Sequence, residues 1–222
     1  MSYTKEMAHL ALVKNLAQLK EEQKFIDEVV LESADLSLPR GSLTEIVGGP
    51  STGKTSLALS LLAKLTSDGE ICAAVDSGHG FDPVTAKLAG VELNNLLWVR
   101  CGRDVEKTFM AADHLVQAKG FGCIWMDLGG LPENKLRMVP RTYWFRYRTR
   151  IKETPTLMLV TARSPLTGSA SQRSYELTRE RVAWSGTGNF KLLREFDLKT
   201  LSRKGVFGPP MRVRAEVDYS EV

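Results

Sequence analysis

The residues with the clearest chemical potential are Gly48-Gly49-Pro50-Ser51-Thr52-Gly53-Lys54-Thr55, followed by Ser56. A glycine-rich turn of this spacing leaves successive backbone N–H groups converging on one concavity. A helix starting directly behind it adds the positive end of its dipole, so that a polyphosphate is held chiefly by backbone. Lys54 then reaches the outer phosphates and Thr55 ligates Mg²⁺. The flanks fit: Leu43-Thr44-Glu45-Ile46-Val47 reads as a short apolar strand before the loop, and Ser56 to Leu65 as a helix after it. Mg·ATP is the expected ligand.

A second cation ligand should come from the end of a neighbouring strand, because ligands of open α/β sheets lie beyond the carboxyl ends of the strands. Two aspartates qualify, Asp76 after Ala74-Val75 and Asp127 after Cys123-Ile124-Trp125-Met126. Asp127 is the stronger candidate for Mg²⁺, since the four residues before it are all apolar. Hydrolysis would also need a group to activate water, worth about 10²–10⁴ in rate. The stretch Ser77-Gly78-His79-Gly80-Phe81-Asp82-Pro83 offers only His79 and Asp82, and a histidine beside glycines is more often structural.

The elements that must position these residues alternate. Apolar runs at Ile71–Val75, Leu96–Val99, Cys123–Met126 and Leu157–Val160 are separated by helical stretches, the pattern of a mostly parallel sheet with helices on both faces. After Arg163 the pattern changes. A loop by composition, Ser164 to Ser171, precedes strand-like runs at Tyr175–Trp184, Phe190–Leu198 and Met211–Val217, which predict a C-terminal antiparallel extension. Residues 38–222 are read as one core domain with this β extension, and residues 1–37 as an amphipathic helix, Met7 to about Lys20, plus a linker. That helix packs either on its own domain or against a second copy or a partner.

The chain has 222 residues and a formal charge of +4, a mild basic tilt that does not by itself indicate nucleic acid. Its three cysteines, Cys72, Cys101 and Cys123, lack metal-ligand spacing and read as small core residues of a reducing compartment. No run approaches eighteen apolar residues and the N-terminus carries acidic residues, so a cytoplasmic protein with no membrane span is expected.

The order of these motifs resembles the bacterial recombinase RecA. Leu38-Pro-Arg-Gly41, Glu45 to Thr55, Ala74 to Pro83 and Gly90 to Leu97 carry the likeness. It runs from about residue 8 to the C-terminus, close as far as Leu97 and looser beyond. More closely, Leu97-Trp-Val-Arg-Cys-Gly102, Gly120-Phe-Gly122, Asp127-Leu-Gly-Gly-Leu-Pro132, Trp144-Phe-Arg146 and Thr154-Pro-Thr-Leu157 are similar to the RecA-like ImuA proteins. This resemblance implies a RecA-like P-loop NTPase core. It also implies a place in the SOS translesion-synthesis mutasome beside an ImuB-like Y-family polymerase scaffold without catalytic activity, with RecA and an error-prone C-family polymerase as further partners, in the nucleoid-associated cytoplasm.

Three positions depart from the RecA pattern. The glutamate that activates water in RecA is Gly78 here; the tyrosine that stacks on adenine, a contact of about 1–3 kcal/mol in comparable sites, is Thr85; the Asn-Gln pair that senses the terminal phosphate is Thr161-Ala162. No residue is therefore assigned a catalytic role, and nucleotide is expected to bind without efficient turnover. Both RecA DNA loops correspond to shortened intervals, the second to about Arg163–Ser171, so single-stranded DNA binding is expected to be weak or absent. The segment containing Arg137, Arg141, Arg146, Arg148, Arg150 and Lys152, interleaved with Tyr143, Trp144, Phe145 and Tyr147, has the composition of a single-strand groove. The favoured reading is a helix with Trp144, Phe145, Tyr147 and Ile151 inward and arginines solvated. Arg203 and Lys204 either face the nucleotide of a neighbouring copy, as the resemblance implies, or belong to an ordinary basic hairpin. Three functions follow: a mutasome adaptor, a DNA-dependent ATPase and strand-exchange recombinase, or a switch in which nucleotide occupancy, and not hydrolysis, sets partner affinity.

Overall fold

The structure, a computed structural model, describes residues 28–31, 34, 36–185, 192–205 and 209–216. The Met7–Lys20 segment lies outside the described residues. The strands are β1 (Glu28–Leu31), β2 (Leu36–Pro39), β3 (Leu43–Val47), β4 (Cys72–Asp76), β5 (Leu96–Arg100), β6 (Cys123–Asp127), β7 (Leu157–Ala162), β8 (Arg173–Ser185), β9 (Leu192–Lys204) and β10 (Met211–Glu216). The helices are α1 (Lys54–Ser67), α2 (Pro83–Leu88), α3 (Val105–Ala118), α4 (Glu133–Arg137) and α5 (Thr142–Ile151).

Eight strands form one sheet in the order β10-β9-β8-β3-β7-β6-β4-β5. The β8-β3-β7-β6-β4-β5 part is parallel, and β9 and β10 continue it antiparallel. The sheet has this parallel core because β3, β4 and β7 are buried along their whole length, as near-continuous apolar strands must be. Successive side chains then supply two cores. Ile46, Ala74, Trp125 and Leu159 point to the α1 layer, where Leu57, Leu61, Leu62 and Leu65 meet them. Val47, Val75, Met126 and Val160 point to the layer of α3 and α5. The expected α/β core, helices on both faces and antiparallel extension are all present. At the open edge of the sheet, β5 is only partly buried.

A two-stranded hairpin of β1 and β2 precedes the core. Positions 37 and 38, where the sequence suggests a boundary, both lie in β2. Val29, Leu31, Leu36 and Leu38 join the α1-side core, and Arg173 of β8 pairs with Glu28.

In helix α5 the aromatic residues of the arginine-rich segment pack inward, with one correction. Trp144, Tyr147 and Ile151 are buried at helical spacing, but Phe145 is 43% exposed, because one residue along a helix turns the side chain by about 100° away from the buried stripe. Phe109 of α3 meets Trp144 and Tyr143 edge to face, with centroids 5.1 and 5.4 Å apart. Tyr147 donates its hydroxyl to the Phe109 carbonyl at 2.7 Å. Arg146 and Arg150 both reach Asp113, at 2.8 and 2.7 Å, so two of the cations are occupied within the fold. All three cysteines are free and buried, and burial pushes the Cys72 thiol up to about 11.

Candidate functional site

The phosphate loop lies between the end of β3 and the start of α1, which begins at Lys54, two residues before the position read from sequence. Its entry is tethered by the Gly48 N–H, which donates to the Ala162 carbonyl at 3.2 Å. A Cβ on Gly48 would come within 2.5 Å of the Leu177 carbonyl oxygen of β8. Gly53, which caps α1, has φ 82° and would place a Cβ 2.9 Å from Leu198 of β9. β8 and β9 thus form one wall of the loop.

Gly49, Pro50 and Ser51 are exposed, whereas Thr52 is buried and donates its hydroxyl to the Gly49 carbonyl at 3.0 Å. Ser51 has φ 54°, a left-handed residue of the kind that turns backbone N–H groups into a concavity. Lys54 curls over the loop, its Nζ donating to the carbonyls of Gly48 and Gly49 at 2.7 and 2.5 Å. Burial lowers its pKa, the Asp127 carboxylate opposes that shift, and Arg163 adds to it. Thr55 and Ser56 are exposed in the first turn of α1, which contains no acidic residue, and their side chains have no partner among the described residues. That combination of free backbone, lysine and hydroxyl fits a Mg²⁺-bound polyphosphate.

Asp76 and Asp127 are direct neighbours in register across β4 and β6, but their surroundings differ. Asp76 is buried and organises the following loop. Its Oδ1 accepts from the N–H groups of Gly78 (3.2 Å) and Gly80 (3.0 Å), and its Oδ2 from Phe81 N–H (3.4 Å) and Trp98 Nε1 (3.3 Å). Among the described residues, Asp127 has donors on Oδ1 alone, Thr161 Oγ1 at 2.9 Å and Gly129 N–H at 3.1 Å. Burial raises its pKa against those hydrogen bonds, with the Asp76 charge also raising it and Lys54 lowering it. Asp127 is therefore the carboxylate with an oxygen to offer, and Thr55 and Asp127 would hold Mg²⁺.

His79 is exposed, at φ 62°. Asp82 caps α2, accepting from Val84 N–H (3.3 Å), Thr85 N–H (2.9 Å) and Thr85 Oγ1 (2.5 Å), and the Thr85 bonds lower its pKa. Thr85 is committed to this cap. Gly78 is pressed against Gly130 of the loop after β6, where a Cβ would lie 2.6 Å from the Gly130 Cα.

Three participants were not foreseen from sequence. Arg163 donates Nε to the Gly129 carbonyl at 3.0 Å, placing a cation beside Lys54. Thr161 bonds Asp127 rather than facing outward. Glu45, 2% exposed, accepts from the N–H groups of Leu166 (2.7 Å) and Thr167 (2.9 Å) and from Ser174 Oγ (3.2 Å), pinning the short loop after β7. A charged residue in the middle of an apolar strand was the available signal for Glu45. Lys204 donates to the carbonyls of Ser169 (3.1 Å) and Ser171 of the same loop, and Arg203 pairs with Glu176 at 3.8 Å. Lys204 is partly buried against this loop, whereas Arg203 stays exposed.

Residues 28–131 match the family model for the RecA N-terminal domain. Protein RecA of Rhizobium leguminosarum bv. viciae is 53% identical over 60 residues, covering 27% of this chain and 17% of that protein. Protein RecA of Borreliella afzelii (strain PKo) is 38% identical over 89 residues, covering 40% of this chain and 24% of that protein. The chain is RecA-like over this span, which contains the phosphate loop and Asp127 and covers only a small part of the length of these relatives.

Proposed function

We propose, on the premise of a RecA-like core with its phosphate loop intact, that this protein is an adaptor of the SOS translesion-synthesis mutasome. In this reading it holds Mg·ATP without efficient hydrolysis and docks an ImuB-like polymerase scaffold, through which RecA and an error-prone C-family polymerase are reached. The observation that carries the non-hydrolytic part is the contact of Gly78 with Gly130, because the position of the water-activating glutamate is filled by backbone. The loop after β7 supports weak or absent DNA binding, since Glu45 and Lys204 consume its N–H and carbonyl groups internally. The ImuA-like segments carry the choice of partner.

The test is ATP hydrolysis with and without single-stranded DNA at low salt, where phosphate contacts are least screened, with Lys54→Ala as blank, alongside co-purification with an ImuB-like scaffold. The adaptor reading expects turnover no higher than the blank and a stable complex with the scaffold. DNA-stimulated turnover lost in Lys54→Ala would instead establish the recombinase-type ATPase, the reading that the RecA identities favour.

A further inference from the structure

We infer that Thr161 is the positioning residue of the metal-binding aspartate, and that the indole of Trp125 sets the direction in which it acts. The inference rests on the Mg·nucleotide reading of the site. Trp125 is buried in the sheet, and its Nε1 lies 3.0 Å from Thr161 Oγ1. An indole N–H only donates, so Thr161 must accept with a lone pair. The single hydroxyl hydrogen is left for the other neighbour of Oγ1, Asp127 Oδ1 at 2.9 Å. A donor-only group at one end thus orders the whole chain: Trp125 N–H to Thr161 O–H to Asp127.

This order has two consequences at the site. Thr161, 1% exposed and next to the last residue of β7, has no hydrogen to give a phosphate, so it acts on the carboxylate and not on the nucleotide. Together with Gly129 N–H at 3.1 Å, its hydroxyl gives Oδ1 two donors, which fixes the carboxylate plane and leaves Oδ2 as the oxygen for a cation. Oδ2 lies on the Gly80 side, where a Cβ at position 80 would stand 3.0 Å from it. Groups that orient a metal-binding carboxylate typically change metal affinity about 10–100-fold when removed.

The experiment measures binding of a fluorescent ATP analogue with Mg²⁺ and with EDTA, in wild type, Thr161→Val and Thr161→Ser. Valine keeps the shape and removes the hydroxyl. The expected result is a loss of about 10-fold or more in Thr161→Val with Mg²⁺, no comparable loss in EDTA, and recovery in Thr161→Ser. Equal loss under both conditions, no loss, or failure of serine to recover binding would overturn the inference. The second readout needs no Thr161 variant: the Trp125 indole N–H resonance of the wild-type protein, assigned with Trp125→Phe. It should shift when Mg²⁺ is added to the nucleotide complex, and a stationary resonance overturns the inference even if Thr161→Val does not fold. Wild type that binds nucleotide independently of Mg²⁺ removes only this inference, whereas wild type that binds no nucleotide removes the nucleotide-site reading with it.

Discussion

Gly78 and Gly130 stand back to back across the site. A Cβ on either would come within about 2.6 Å of the other's Cα, at 2.6 Å from position 78 and 2.5 Å from position 130. The loops after β4 and β6 are thereby in backbone contact beside Asp127. Gly78→Glu should consequently fail to create hydrolysis and should lower stability by about 1–3 kcal/mol, the usual cost of forcing atoms into a packed site. Phosphate release and urea denaturation of Gly78→Glu and Gly78→Ala check this. An active, fully stable Gly78→Glu would show that the two loops separate easily.

Glu45 ties β3 to the loop after β7 through Leu166 and Thr167, and to β8 through Ser174. Removing its carboxylate leaves buried donors without an acceptor, at a cost of about 1–3 kcal/mol each when they stay dry. Glu45→Ala is expected to lose about 3 kcal/mol in total, since some donors will find water. Amide exchange at Leu166 and Thr167 should accelerate well before the sheet opens, which hydrogen-exchange mass spectrometry would detect.

Tyr147 tests whether the aromatic layer between α3 and α5 is structural. Its hydroxyl is bonded to the Phe109 carbonyl inside the core. Tyr147→Phe should cost about 1 kcal/mol, the net worth of one buried hydrogen bond, since the Phe109 carbonyl lies within α3 and keeps its helical partner. Arg146→Ala is expected to cost less than about 1 kcal/mol, because it breaks a partly exposed pair while Arg150 still holds Asp113. Equilibrium unfolding of both variants compares the two. The reverse order would place the weight on the cationic face of α5.

The half-buried Asp127 carboxylate predicts a pH dependence. Burial is the main cause that raises its pKa, so the folded state holds the proton more tightly than the unfolded chain. Its contribution to stability is complete below the unfolded value of about 3.9 and is lost as pH rises through the raised folded value. Asp127→Asn carries no charge at any of these pH values. It should melt above wild type at pH 7, with the gap closing towards pH 4, and should lose Mg²⁺-dependent nucleotide binding. Parallel melts without nucleotide at the two pH values, together with binding of a fluorescent ATP analogue, check both halves.

Much of the core was readable along the chain. Fully apolar runs marked β4, β6 and β7 because a strand covered on both faces leaves little room for a polar residue, whereas β3 carries the buried Thr44 and Glu45 and was marked by the phosphate loop that follows it. The phosphate loop was readable because its glycines answer local demands, a left-handed cap at Gly53 and a close approach at Gly48. The β1–β2 hairpin was not, since its four-residue strands are too short to display a period and are held by partners such as Arg173, far along the chain.

The sequence by itself determined the backbone cradle for phosphate, the alternating core and the identity of Asp127 as a strand-end carboxylate. These rest on residues that are neighbours in the chain, where side-chain type acts directly on local conformation. Only the tertiary structure decided what each group at the site is free to do. It placed Gly78 on Gly130 and turned Thr161 onto Asp127. It also folded Lys204 onto the loop after β7 and committed Thr85 to the Asp82 cap. A hydrogen-bonding group can spend each donor or lone pair only once, and most of these partners lie on different strands and loops. Packing of the sheet brings them together, so packing determines which side chains remain available for chemistry.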